Sequence, residues 1–238
     1  MSALSFFRSL TSVPTAPFFE AAVTAKALAL IKAEFGRSVE VRRRRGGVIV
    51  SYRGAGKGPA LAFAAHLDHP AFHLKEVRKD GALGLLQGGL PPHLLPGVDV
   101  EAFPALPRDN NPLARGVLGK PRKDGLYPIR WTEAPKPGAR LAFATLRLTP
   151  YSKEGRWLLS RSIDDLLGGA ASLEALRRLV QSKAKVNVTV LLHRAEEVGF
   201  IGALDLIKEG AVSLEDSVIS VETSRQMKGA RPGRGPVV

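Results

Sequence analysis

The sequence predicts an α/β fold, in which helices flank a mostly parallel sheet and a small all-β, barrel-like domain is inserted. Segments with apolar residues at helical spacing alternate with short apolar runs at both ends of the chain. That alternation is typical of a sheet covered on both faces. Between these ends, residues 76–159 are rich in glycine and proline and show no amphipathic helix. We therefore expect an α/β domain formed by residues 1–75 and 160–238, interrupted by a β-rich domain at residues 76–159.

The first α/β segment shows helical and strand-like patterns in turn. In residues 17–36 the apolar side chains recur at helical spacing up to Gly36, a typical stop signal, which predicts a helix. Residues 38–43 and 47–53 alternate β-branched and polar side chains around an Arg-Arg-Gly-Gly turn, so we expect a strand pair. Residues 60–65 are continuously apolar, as in a strand buried on both faces.

The second α/β segment repeats the alternation. Leucine and alanine side chains lie along one helical face of residues 164–181, which predicts an amphipathic helix. Residues 186–192 are apolar and β-branched, so they predict a strand, and residues 217–221 predict another. We expect a short helix between these strands at residues 203–209.

The composition limits the chemistry of any metal site. The chain has 238 residues and no cysteine, which excludes disulfides, thiolate ligands and a cysteine nucleophile. Any metal must therefore be held by His, Asp or Glu side chains. No apolar stretch approaches the roughly 18 residues that a membrane span needs, and residues 1–12 do not resemble a signal peptide. We therefore expect a cytoplasmic protein with no membrane partner.

The net charge of +13, from 35 Lys and Arg against 22 Asp and Glu, suggests an anionic partner such as nucleic acid. The run from Arg42 to Arg45 concentrates this charge. It lies on the predicted strand pair without interleaved aromatic side chains, and aromatic residues make up only 6% of the chain. Because aromatic stacking carries much of single-strand binding, a solvated arginine face is the better interpretation, and we expect no nucleic-acid partner.

Two motifs offer imidazole and aspartate side chains. His66 and Asp68 follow the predicted strand at residues 60–65 and point the same way, so the carboxylate can fix the tautomer of a ligating imidazole. The alternative is an ordinary surface histidine. Asp164 and Asp165 open the predicted helix at residues 164–181, where aspartates also occur as capping residues.

Two further motifs offer glutamates. Glu196 and Glu197 follow the predicted strand at residues 186–192, and Glu222 follows the strand at residues 217–221. Adjacent carboxylates project to different sides of the backbone, so one can bind a metal while its neighbour faces the substrate as general base. Taken singly, each glutamate is more typical of an exposed loop.

The joint placement of the four motifs favours a metal site over unrelated surface features. They lie at element ends, on the side where an open α/β sheet places its ligand crevice. Together they supply one histidine and several carboxylates, a donor set suited to one or two divalent ions.

The order of these motifs resembles that of the glutamyl/tetrahedral aminopeptidases, a family of co-catalytic dinuclear-metal exopeptidases. The matching motifs are Ala-Ala-His-Leu-Asp, Ser-Ile-Asp-Asp-Leu-Leu-Gly, Glu-Glu-Val-Gly-Phe-Ile-Gly-Ala and Gly-x-Gly-Pro, at residues 64–68, 162–168, 196–203 and 233–236. The inserted β-rich region is similar to that family's barrel-like inserted domain. The resemblance spans almost the whole chain and implies a zinc-exopeptidase-like fold.

The resemblance also implies a chemistry. It implies two divalent ions (Zn, Co or Mn), whose ligands are His66, Asp164, Glu197 and Glu222. Asp164 would bridge the ions, Asp68 would orient the histidine, and Glu196 would be the general base that activates water. The implied activity is that of a metal-dependent aminopeptidase acting on peptides, in a protein that forms homo-oligomers. The peptide bond that joins Asp164 to its neighbour is expected to be cis.

Some positions differ from the family pattern. His69-Pro70-Ala71 stands where the family usually has Glu-Ile-Gly, Leu166 replaces the usual Arg, and Glu222 replaces the more frequent Asp. The family normally continues beyond the Gly-x-Gly-Pro segment and supplies a final His ligand there, so the α/β domain is expected to lack its C-terminal third.

A catalytically impaired or inactive paralogue, acting as a binding or assembly protein, is the alternative function.

Overall fold

The computed structural model, which describes residues 1–223, 226–231 and 235, contains four α-helices and thirteen strands in those residues. The chain begins with α1 (Ala3–Leu10), α2 (Ala21–Phe35), β1 (Glu40–Arg44), β2 (Gly47–Arg53) and β3 (Leu61–His66). It continues with β4 (Ala71–Val77), β5 (Gly81–Gln87), β6 (Asp99–Phe103), β7 (Ala114–Leu118), β8 (Leu126–Glu133) and β9 (Phe143–Leu146). The remaining elements are β10 (Ser152–Glu154), β11 (Trp157–Leu159), α3 (Gly168–Gln181), β12 (Asn187–His193), α4 (Ile201–Lys208) and β13 (Ser217–Ser220).

Five strands form the α/β sheet in the order β1-β2-β12-β3-β13. The expectation of a mostly parallel sheet is only partly met, because β12, β3 and β13 are parallel while β1, β2 and β12 pair antiparallel. A tight turn joins β1 to β2, and such a connection permits only antiparallel pairing. The sheet is therefore mixed, with its parallel part on the side that carries the candidate site residues.

Helices cover both faces of this sheet. On one face, α2 and α3 pack against the sheet and α1 packs on these two helices, and the core there includes Phe6, Ile31, Leu173 and Val190. On the other face, α4 contributes Leu206 to a smaller cluster. The sequence patterns did not predict α1, whose N-terminus is capped by the Ser2 side chain and which buries Phe6, Phe7 and Leu10 completely.

Regular helix in the second segment begins later than expected. Residues Ile163–Leu167 form a distorted turn in which Asp164 has an extended backbone conformation, with ψ of 106°. The α-helix then runs from Gly168 to Gln181. The two aspartates therefore lie in a loop at the end of the sheet rather than in the first helical turn.

The inserted region folds into a closed six-stranded barrel in the order β4-β5-β8-β7-β6-β9. Its core includes Phe72, Val100, Ile129 and Trp131. The first barrel strand begins at Ala71 and spans the division that the sequence placed between residues 75 and 76. The last ends at Leu146, and β10 and β11 form a separate hairpin. No helix in the described residues is long and apolar enough to cross a membrane.

Candidate metal centre

His66 lies at the carboxyl end of β3, where its side chain is almost completely buried. Its Nδ1 lies 2.9 Å from the backbone carbonyl oxygen of Asp68. Because a carbonyl only accepts, Nδ1 carries the hydrogen, and Nε2 is the atom available to a ligand. Three carboxylate oxygens surround Nε2, at 3.1 Å, 3.8 Å and 3.9 Å; they belong to Asp164, Glu196 and Glu222.

Asp68 contacts the site differently from the expectation that its carboxylate orients His66. The carboxylate oxygen Oδ1 lies 3.7 Å from Nδ1 of His66, beyond hydrogen-bond distance. The two carboxylate oxygens instead accept the backbone N–H groups of Glu196 and Glu197, at 3.1 Å and 3.2 Å. The backbone of Asp68 therefore fixes the imidazole, and its buried carboxylate holds the loop that carries both glutamates.

The distorted turn before α3 presents Asp164 to the site. The Asp164–Asp165 peptide bond is cis. Asp165 points into the protein, where its Oδ1 accepts the N–H of Gly168 at 3.2 Å and its Oδ2 has no hydrogen-bond partner among the described residues. Burial raises the pKa of Asp165 to about 8. The sequence paired the two aspartates but did not predict that the second would be buried.

Glu196 and Glu197 follow β12 in a loop that a distant residue holds in place. The backbone of Ala195 has a positive φ of 51°, and its N–H donates to the side chain of Glu20 at 3.0 Å. Glu20 is buried and also pairs with Arg194 at 3.0 Å. Sequence reasoning missed Glu20, because an acid before a helix is most simply read as a capping residue.

The charges of the site lie close together in partly buried surroundings. Burial raises the pKa of Glu197 to about 7 and also raises the pKa of Glu196. Interaction with His66 lowers the pKa of Glu222 to about 2. Burial would lower the pKa of His66, but its interactions with Asp164 and Asp68 outweigh burial and raise it. Such strongly shifted groups in a cleft are typical of functional sites.

The side chains combine into two overlapping donor groups. His66 with Asp164 and Glu222 forms one group, and His66 with Glu196 and Glu197 forms the other, with the ligand atoms of each within 4.8 Å of one another. The structure thus brings together five of the six residues singled out from the sequence and places Asp68 behind them. The Gly-x-Gly-Pro segment at residues 233–236 lies outside the described residues, apart from Gly235.

An apolar pocket of about 160 Å³ opens beside these carboxylates. Its polar edge includes Glu196 and Glu222, and its apolar wall includes Leu191, Leu206 and Val218. His193 also lines the pocket, and its Nδ1 is buried without a hydrogen-bond partner among the described residues. Sequence reasoning missed His193, because a histidine that ends a strand is equally typical of a surface position.

The arginine run is largely matched by carboxylates. Arg42 lies 3.5 Å from Glu40, and Arg44 and Arg45 lie within 3.8 Å of carboxylates on or next to α4. These pairs leave less free positive charge on this face than the sequence suggests.

Comparisons with known proteins support the fold. No family model and no curated relative matches the chain. Among solved structures, it is similar to a TET aminopeptidase from the archaeon Thaumarchaeota archaeon SCGC AB-539-E09, with 18% identity, a TM-score of 0.76, and coverage of 97% of this chain and 68% of that one. Aminopeptidase APDkam598 from the archaeon Desulfurococcus kamchatkensis gives 19% identity, a TM-score of 0.72, and coverage of 98% and 66%.

A third similar structure is PhTET1-12s, a dodecamer, with 21% identity, a TM-score of 0.67, and coverage of 88% of this chain and 65% of that one. The chain therefore spans about two thirds of the length of the structures it matches. At these identities the comparison establishes one conclusion: the α/β sheet with its inserted barrel is the fold found in these aminopeptidase structures.

Proposed function

We propose that this chain is a metal-dependent, aminopeptidase-like hydrolase of the glutamyl/tetrahedral type. The observation that carries the proposal is the convergence of three carboxylates on Nε2 of His66, at 3.1–3.9 Å, at one end of the sheet. Carboxylates brought this close repel one another unless a cation lies among them. The shared fold with aminopeptidase structures adds support.

The residues fit a pair of divalent ions. His66, Asp164 and Glu222 would hold one ion, and Glu197 would contribute to holding the second. Imidazole and carboxylate ligands without thiolates suit Zn, Co or Mn. When bound, such ions polarise a scissile carbonyl and make water a better nucleophile.

Glu196 is the best placed general base. Its side chain is mostly shielded, with 16% exposed, and Oε2 lies 3.8 Å from Nε2 of His66. Burial raises its pKa, so the carboxylate takes up a proton more readily at neutral pH than an exposed glutamate does. Glu196 would accept the proton of the attacking water and deliver it to the leaving amine, while Asp68 holds its backbone in place.

The substrate would be the amino-terminal end of a peptide. The adjacent pocket of about 160 Å³, with its apolar wall, would accept an apolar side chain of that peptide. We further propose a homo-oligomer, since one structure with this fold is a dodecamer. We infer no nucleic-acid partner and keep the cytoplasm as the expected location.

The test is hydrolysis of aminoacyl-anilide and short peptide substrates by protein loaded with Zn, Co or Mn. Glu196→Gln should lower kcat by about 10²–10⁴-fold while leaving bound metal unchanged. Glu215→Gln, at an exposed turn, is the matched control and should retain activity. Absence of turnover with every metal, in a protein that binds metal normally, would instead favour the inactive, binding paralogue.

A further inference from the structure

A second pocket lies at the junction of the barrel and the α/β layer and shares no lining residue with the candidate metal centre. Its volume is about 50 Å³, enough for a few water-sized molecules. The residues that line it are His69, Pro70, Leu90, Leu146, Leu148 and Arg161. Because the other lining side chains are apolar, His69 and Arg161 determine what this junction pocket can bind.

Arg161 brings an incompletely paired positive charge to the junction pocket. One of its terminal nitrogens, Nη2, donates to the side chain of Asn110. The other two nitrogens, Nε and Nη1, are buried and have no hydrogen-bond partner among the described residues. The carboxylate of Glu101 acts on Arg161 only through its field and pairs directly with Arg115, at 3.2 Å. A buried guanidinium without its partners is costly, so this one is suited to a ligand.

His69 supplies the second polar atom of the junction pocket. Its side chain is only 4% exposed, and its Nδ1 lies 3.2 Å from the carbonyl oxygen of Pro70, to which it donates. The other ring nitrogen, Nε2, is buried and has no partner in the described part of the chain. In a neutral ring Nε2 accepts a hydrogen bond, and in a protonated ring it donates one.

We propose that the junction pocket binds a small oxyanion between Arg161 and His69. One oxygen would accept from the free N–H groups of Arg161 and neutralise its charge. A second oxygen would contact Nε2 of His69. Hydrogen phosphate can donate its own hydrogen to the neutral imidazole, whereas a carboxylate requires the imidazole to be protonated. Both ligands share the same chemistry, a negative oxygen together with a second oxygen for His69.

The experiment is a titration of the purified full chain with inorganic phosphate, read by ¹⁵N NMR of the histidine rings. The chain has five histidines, and His69→Gln identifies the signal of interest. Ionic strength is kept constant with chloride, which has no oxygen atom to contact Arg161 or His69. We expect a saturable shift of the His69 ring signals, which Arg161→Gln abolishes. Arg156→Gln, an exposed arginine on the turn between β10 and β11, is the matched control and should keep the shift.

A parallel titration with acetate separates the two sources of the oxyanion. If a carboxylate is the preferred ligand, acetate shifts the His69 signals with the pattern of a protonated ring; if phosphate is preferred, only phosphate produces the shift. The proposal is overturned if neither anion shifts His69 saturably, if Arg161→Gln responds like the wild type, or if the shift is confined to His66 at the metal centre.

A second variant guards against a misfolded arginine mutant. His69→Glu places a carboxylate inside the junction pocket, so it should raise Tm in chloride. Phosphate binding at this pocket should then no longer raise Tm further. The wild type and Arg156→Gln should both keep the full rise. An equal phosphate response in His69→Glu and the wild type would contradict binding at this pocket.

Discussion

The barrel and the α/β sheet differ in whether their edge strands are exposed. Each of the six barrel strands pairs with two neighbours, so the barrel has no open edge. In the sheet, all seven residues of β12 are buried, whereas all four residues of β13, at the edge, are exposed. Apolar side chains continue this exposed surface on α4, including Leu204 and Ile207.

The closed barrel contributes mainly to stability, whereas the sheet carries the candidate chemical site. The barrel buries its apolar surface against itself and leaves no strand without a neighbour on either side. The sheet keeps its parallel strand ends accessible, and the candidate metal centre lies there, beside the exposed edge. Exposed apolar surface of this kind is typical of faces that bind a ligand or another protein surface. The site is therefore built on the less completely buried part of the fold.

The largest expected effect compares the two regions directly. Phe72 is fully buried in the barrel, so Phe72→Ala should lower the free energy of unfolding by about 3–5 kcal/mol. Val218 is 52% exposed on β13, so Val218→Ala should lower the free energy of unfolding by less than about 1 kcal/mol. Urea denaturation measures both values. A large loss of stability in Val218→Ala would show that β13 is covered in solution and would contradict the proposed difference between the barrel and the sheet edge.

His193 should make the α/β layer sensitive to acid. Burial lowers the pKa of His193 from 6.5 to about 4. Between these values the unfolded chain binds a proton that the folded chain does not, so stability falls as the pH is lowered through this window. His193→Gln should therefore flatten the decline in unfolding free energy between pH 6.5 and 4. His93→Gln, at an exposed turn next to the barrel, should leave the decline unchanged; equal slopes in both variants would contradict the account.

A smaller loss is expected where Asp68 holds the glutamate loop. Asp68→Asn replaces one acceptor oxygen by a donor that faces a backbone N–H, so the free energy of unfolding should fall by about 1–3 kcal/mol. Asp80→Asn, on an exposed barrel turn, should change it by less than about 0.5 kcal/mol. Denaturation of both variants at neutral pH gives the comparison. Equal small effects would mean that the carboxylate of Asp68 does not hold the loop.

The smallest effect should come from the charged surface of the barrel. Arg115 bridges Glu101 at 3.2 Å and Glu133 at 2.7 Å, but it is one-third exposed. Arg115→Ala should therefore cost no more than about 1 kcal/mol, and added salt should reduce the difference. A loss as large as that of Phe72→Ala would indicate that charges, rather than the closed core, stabilise the barrel.

Local patterns predicted much of the fold. The helix at residues 17–36 and the strands at residues 47–53, 60–65 and 186–192 are found with ends shifted by a few residues. The antiparallel pairing of β2 with β12 was not predicted, because pairing between distant strands leaves no periodic signal in either. Closure of the barrel depends in the same way on contacts between separated strands.

For the same reason, only some residues of the candidate site could be predicted from the sequence. His66, Asp164, Glu196 and Glu222 could be singled out because each lies at the end of a recognisable element. Glu20, His193 and Arg161 could not, because their importance depends on burial and on partners far away in the chain. The cause is physical: exposure and pairing of a charged side chain are set by the tertiary fold, not by neighbours in sequence.

The most direct test is the metal content of the purified chain, measured by elemental mass spectrometry after equilibration with zinc. We expect two bound ions per chain, of which at least the ion held by His66 is lost in His66→Ala, and both of which are retained in Asp124→Asn, a control at an exposed barrel turn. Protein that binds no divalent metal, or a His66→Ala variant that binds as much as the wild type, would contradict it.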